Sequence, residues 1–189
     1  MGALQVLFTN RKIRGFLGKT RYLLALMLLV PLAWGMQPRW LPAGVAISML
    51  GQLIQGWCFA SLVKNLELSV RGPYLLVRNP MYLGRYFMIL GFVWLLGSPL
   101  AVGIYTVLYA PYAYYRVLGE ERRLRRAFGE QFERYCREVN RFLPTPGGMR
   151  KPELWFFDMR MFLNNNGHWN ILLTLIGFAA VWGLHSVAV

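Results

Sequence analysis

Acidic side chains are scarce in this sequence, where 8 Asp and Glu stand against 21 Lys and Arg in 189 residues, and no acid occurs before Glu67. An excess of positive charge this large suggests nucleic-acid binding in a soluble protein. The placement of the charge excludes that reading here. Every Lys and Arg except Arg39 falls in one of three segments, 11–21, 64–85 and 116–160, which lie between apolar runs. That is a topology signal, so nucleic acid is not an expected partner. Cysteine is scarce too: Cys58 in an apolar run and Cys136 in a basic one make no disulfide framework. Internal repeats and low-complexity tracts are absent. No ionisable residue lies deep in an apolar run, and no inverted repeat is visible; both argue against a transporter. No cluster of residues suggests a metal site.

What is abundant is apolar surface. Hydrophobic residues make up 56% of the chain, and the mean hydropathy of +0.36 is high for an ordinary soluble domain. A helix that crosses the roughly 30 Å hydrocarbon core needs about 20 mostly apolar residues. The expected fold is all-α, a multi-pass transmembrane bundle of about five spans at 22–36, 43–63, 82–97, 100–118 and 170–189. Only Ser98-Pro99 separates the third span from the fourth, so those two read as a tight hairpin. The basic N-terminus precedes an apolar stretch but no small-residue cleavage site follows, which reads as a first anchor. Placing it in the cytoplasm puts all three basic segments inside, and only Arg39 violates the positive-inside rule.

Between the fourth and fifth spans, 119–140 reads as a cytosolic amphipathic helix. Leu124, Phe128, Phe132, Tyr135 and Val139 form its apolar stripe, opposite Arg122, Arg126, Glu130, Glu133 and Arg137. A basic helix that snorkels against anionic lipid has the same pattern. The Pro/Gly-rich stretch 143–148 then divides a core, 1–144, from a C-terminal extension, 145–189.

Four features could carry chemistry. Glu120 and Glu121 stand where the fourth span meets the amphipathic helix, and one of them should face inward with Leu124; two acids at a helix start also complement its dipole. Above them Tyr105, Tyr109, Tyr112 and Arg116 share one helix face, which suits an apolar pocket with a charged mouth or, for tyrosines near the boundary, an interfacial belt. Ser48, Gln52 and Gln55 share a face of the second span, where helix-to-helix hydrogen bonding is the usual reason. The loop before the hairpin turns at Gly72-Pro73 and again at Asn79-Pro80, leaving backbone groups free to bind a ligand beside Arg71, Arg78 and Arg85.

Read in order, these residues form a pattern: Gly72-Pro73-Tyr74, Val77-Arg78-Asn79-Pro80-Met81-Tyr82-Leu83-Gly84, Glu120-Glu121, Phe128-Gly129-Glu130-Gln131-Phe132-Glu133-Arg134-Tyr135 and Val139-Asn140-Arg141-Phe142-Leu143-Pro144. The ordered set resembles the isoprenylcysteine carboxyl methyltransferase and phospholipid methyltransferase group of membrane enzymes over about 66–144. The first two spans match only in character, and the extension lies outside the pattern.

The resemblance implies an enzyme that transfers a methyl group from S-adenosylmethionine to a lipid-like or prenyl-like acceptor at the cytosolic membrane face. Carried over by position, the cofactor contacts are Leu66, Glu67, Leu68, Ser69, Tyr74, Asn79, Pro80, Met81, Tyr82 and Glu120. Arg116, Glu121 and Tyr112 are the expected acceptor contacts. In the carboxyl methyltransferases His is typical at the position of Asn79, so a contact that needs an imidazole is not expected here. Arg116 suits an anionic group, which favours a carboxylate acceptor. An amine would need a nearby acid, with Glu121 the candidate. Phospholipid N-methylation, small-thiol S-methylation and a non-catalytic membrane scaffold are the alternatives.

Overall fold

The computed structural model describes residues 27–63 and 67–188. The N-terminal basic segment, the start of the first expected span and Leu66 lie outside the described residues. Those described are helical, with 3-10 turns and loops between and no strand among them. In chain order the helices are α1 (27–35), α2 (Leu41–Ser61), α3 (Pro80–Trp94), α4 (Pro99–Glu138), α5 (Met159–Asn164) and α6 (Gly167–Ala188). Among the described residues two helical stretches are long and apolar enough to cross a membrane, Pro38–Ser61 and Gly167–Ala188. Helix α3 has 15 residues, which at 1.5 Å per residue is about 22 Å.

The central pair is α2 and α3, joined along a seam of small residues. A Cβ on Gly51 would lie 2.5 Å from the Gly84 carbonyl oxygen, and one on Gly44 would lie 2.6 Å from that of Gly91. Such close backbone approach is how helices associate where lipid removes the hydrophobic drive between them. The polar face of α2 joins its neighbours as expected. Ser48 donates to the Met88 carbonyl at 2.6 Å, and Gln52 donates to the Asn170 carbonyl at 3.1 Å and to the Thr174 hydroxyl. The tyrosine stripe of α4 is equally structural: Tyr105 donates to the Tyr86 carbonyl at 3.0 Å and Tyr109 to that of Tyr82 at 2.7 Å, fastening α4 to α3.

At one end of the bundle Ala33 and Met36 pack with Leu95, Phe178 and Val181. There the Gln37 backbone and side chain donate to the carbonyls of Leu95 and Leu96, and Trp40 covers Gly97 in the α3–α4 turn. The 37–42 and 98–99 turns therefore share an end. The 67–80 loop, the C-terminal part of α4 and residues 145–165 gather at the opposite end.

Helix α4 departs from the expected division into a span and a separate amphipathic helix. It is continuous through Leu118 and Gly119 and breaks at Gly129, whose φ of 48° and ψ of −121° are non-helical. Glycine tolerates that backbone where other residues are strained. The bend turns Phe132, Tyr135 and Val139 back onto Leu68, with Leu124, Phe128 and Cys136 at the margin. Arg125 and Glu133, on either side of the bend, form an ion pair across it. Continuity also removes one explanation of Glu120 and Glu121: they lie in a helix interior, far from the N-terminus at Pro99, and complement no helix dipole.

Candidate active site

A cleft of about 240 Å³ opens where the 67–80 loop meets α4. Glu67, Leu68, Ser69, Tyr74, Asn79, Met81, Tyr82 and Glu120, all expected at the cofactor, line it together with Leu62, Val63, Arg78, Arg123, Leu124, Ala127, Phe128 and Tyr135. Pro80 is the remaining described member of the expected set. It is buried as the first residue of α3, where proline suits the missing amide donor, and does not line the cleft.

The loop is shaped by its own sequence. Gly72 has a φ of 58° and opens a 3-10 turn, Gly72–Leu75, that buries Tyr74. The Tyr135 hydroxyl donates to the Tyr74 carbonyl at 2.7 Å, tying the loop to α4 beyond the bend. The Ser69 hydroxyl accepts from the Val63 amide at 3.0 Å. Burial pushes the phenols of Tyr74 and Tyr135 above their ordinary range, so both remain neutral donors near neutral pH. The Tyr74 hydroxyl is buried with the Cys58 thiol of α2, a weak partner, as its neighbour.

The acids behave differently from each other. Glu120 lines the cleft, accepts from the Tyr82 hydroxyl at 3.3 Å and lies 3.6 Å from Arg123. Glu121 faces away from it, with 2% of its side chain exposed. Its carboxylate is gripped by Arg141 at 2.7 and 3.1 Å, lies 3.4 Å from Arg78 Nε and accepts from Asn79 Nδ2 at 3.4 Å. The residue expected as an acceptor contact is thus the centre of an ion cluster, and its charge is already matched by two guanidinium groups.

A second cleft of about 170 Å³ lies beyond the wall made by Asn79 and Tyr82, which line both. It is mostly apolar, walled by Val77, Leu83, Tyr86, Tyr109, Ala113 and Phe142, with Arg141 as its cation. Ala113 and Phe142 are shared with an open groove along Ala110, Pro111, Tyr114 and Tyr115 on the outside of α4. Of the other expected acceptor residues, Arg116 is partly buried with its Nε lacking a hydrogen-bond partner, and Tyr112 packs 5.7 Å from Tyr109. Neither lines these clefts.

Arg141 and the clamp on Glu121 were not foreseen. A signal was present in the sequence: in a chain with few acids, one that turns inward needs a cation, and Arg141 stands within the motif that closes the resembled pattern.

No curated protein and no solved structure matches this chain. The family model described as phospholipid methyltransferase matches residues 43–131, which takes in α2, the cleft loop, α3 and α4 as far as the bend. Over residues 43–131 the chain is similar to that family of membrane methyltransferases, in agreement with the group its motifs resemble.

Proposed function

We propose that the protein is an S-adenosylmethionine-dependent methyltransferase whose acceptor is a lipid-like molecule with an anionic group. The observation that carries this reading is the pair of clefts sharing the Asn79 and Tyr82 wall, one rich in polar groups and one apolar. The residues of the first cleft suit the cofactor. Glu67 and Glu120 complement a cationic ligand, and Tyr74 and Tyr82 offer aromatic faces. When bound, the cofactor supplies an electrophilic methyl group on a sulfonium.

The chain's own part is positional. Holding two reactants in line in a site closed to water is worth up to about 7–11 kcal/mol. Tyr82 fixes one side of the wall through Glu120, and Asn79 fixes the other through Glu121. Arg141 Nη1 has no partner among the described residues. It is available to an acceptor anion in the second cleft, and Arg116, near Tyr82, adds positive potential. Glu121 is held by two arginines and lines neither cleft, so it does not meet an acceptor bound there. That favours a carboxylate, which sheds no proton on methylation, over an amine. The family description favours the second reading, a phospholipid amine, for which Glu120 is the remaining acid.

The same reading places five spans in the bilayer, with the cleft end cytoplasmic, a core at 1–144 and an extension at 145–189. Leu100, Ile104, Val107 and Leu108 lie exposed on α4, as do Leu172, Leu173 and Ile176 on α6. Such apolar faces suit lipid. The open groove beside Phe142 is a route by which an acyl or prenyl chain reaches the second cleft from the bilayer.

Calorimetry of the detergent-purified protein with S-adenosylhomocysteine tests the first cleft. Binding that Glu120→Ala weakens about tenfold is expected, and no binding to the intact protein overturns the enzyme reading. Radiolabelled transfer into a prenylcysteine or into phosphatidylethanolamine then chooses the acceptor.

A further inference from the structure

Residues 145–165 lie outside the matched family region and line none of the clefts. Their contacts concentrate nevertheless on the loop that walls the first cleft and on the end of α2 that leads into it. Thr145 donates its amide to the Leu76 carbonyl at 2.8 Å, and Gly148 packs so closely on the Leu75 carbonyl that no Cβ fits. The Phe156 carbonyl accepts from Trp57 Nε1 at 3.1 Å and from the Ser61 hydroxyl at 3.2 Å. The Phe156 ring lies 4.2 Å from the Arg71 guanidinium, midway along the loop between Ser69 and Tyr74. Asn165, almost fully buried, donates through Nδ2 to the carbonyls of Phe59 and Leu62, both at 2.8 Å. Those are orphan acceptors at the C-terminal end of α2, and a helix end left without partners there is costly.

We infer that residues 145–165 are a strap that positions the wall of the cofactor cleft, with Phe156 and Asn165 as its positioning residues. The inference rests on the cofactor reading of that cleft. Phe156 holds the loop through Arg71, by attraction of a guanidinium to an aromatic face. Asn165 fixes the point where α2 ends and Leu62 and Val63 enter the cleft wall. Neither touches the ligand space, so both act through residues that do.

The test compares Phe156→Ala, Phe156→Tyr and Asn165→Ala with Thr174→Ala, a control that removes the hydroxyl partner of Gln52 away from the cleft. The dissociation constant for S-adenosylhomocysteine should rise about tenfold in both alanine variants of the strap. KM for the acceptor should stay within twofold, and Phe156→Tyr, which keeps the aromatic face, should bind as the unmodified protein does. Thr174→Ala should lower the melting temperature without changing cofactor affinity. Strap variants that melt earlier yet bind the cofactor normally would overturn the inference. Should Phe156→Ala not fold, Phe156→Leu, which keeps bulk and loses the π face, takes its place. Failure of the unmodified protein to bind would sink the cofactor reading instead, and hydrogen exchange then decides the strap. Faster exchange at 67–75 in Phe156→Leu supports it, and unchanged exchange overturns it.

Discussion

Replacing Glu121 by alanine removes the one anion between Arg78 and Arg141. The Arg78 side chain is only 12% exposed, so its charge would stay buried without a counter-ion, whereas Arg141 is 33% exposed and can turn towards water. Breaking a buried pair from one side costs about 3–5 kcal/mol, and the freedom of Arg141 puts the expected loss near the low end, about 3 kcal/mol. For a chain of this length that corresponds to a fall of roughly 6–12 °C in melting temperature. Glu121→Gln, which keeps an acceptor oxygen but no charge, should fall between the two. The assay is thermal unfolding in detergent, run beside methyl transfer, for Glu121→Ala, Arg141→Ala and the double variant. The two single losses should sum to more than the loss in the double variant, because the pair shares one interaction. If Glu121→Gln melts normally and loses only turnover, while Arg141→Ala stays active, Glu121 is a proton acceptor and the clamp argument is refuted.

Three further outcomes follow from the packing and the charges. Gly51→Ala places a Cβ 2.5 Å from the Gly84 carbonyl, where the obstacle is backbone; a loss of about 1–3 kcal/mol or failure to assemble is expected, read by size-exclusion chromatography and melting. Arg116→Ala should raise the acceptor KM while leaving cofactor affinity unchanged, and equal loss of both would refute its role. Arg125 holds the Glu133 carboxyl below its ordinary value of 4.5. The ion pair across the Gly129 bend therefore contributes fully above that value and is lost as pH falls through the lowered one. Protection from hydrogen exchange at 130–139, taken relative to the intrinsic amide rate at each pH, should fall on acidification in the parent and stay constant over that range in Glu133→Gln.

How much of this was legible in the sequence depends on the range of the interaction concerned. The 67–82 loop announces itself through Gly72-Pro73 and Asn79-Pro80, because turn chemistry is local, and the inward stripe of the amphipathic helix follows from periodicity. The bend at Gly129 was not legible: a lone glycine in a helical pattern is as often tolerated as broken, and the packing of Phe132 and Tyr135 on the loop decides it. The tyrosines of α4 carried a pocket signal and a packing signal that sequence alone cannot separate, since Tyr105 and Tyr109 spend their hydroxyls on α3 carbonyls. The grip of Arg141 on Glu121 joins residues across that bend, so no linear spacing predicts it.

The cap that Asn165 places on α2 joins residues more than 100 positions apart. Synthesis therefore delivers the helix, the loop and the clamp on Glu121 well before the residue that finishes the end of α2. A nascent chain halted before that point would carry every residue of the cleft and still hold two unmet carbonyls where its wall begins. Completion of the cleft wall therefore waits on residues translated well after the cleft itself, and chains truncated before Asn165 should keep the end of α2 unfinished.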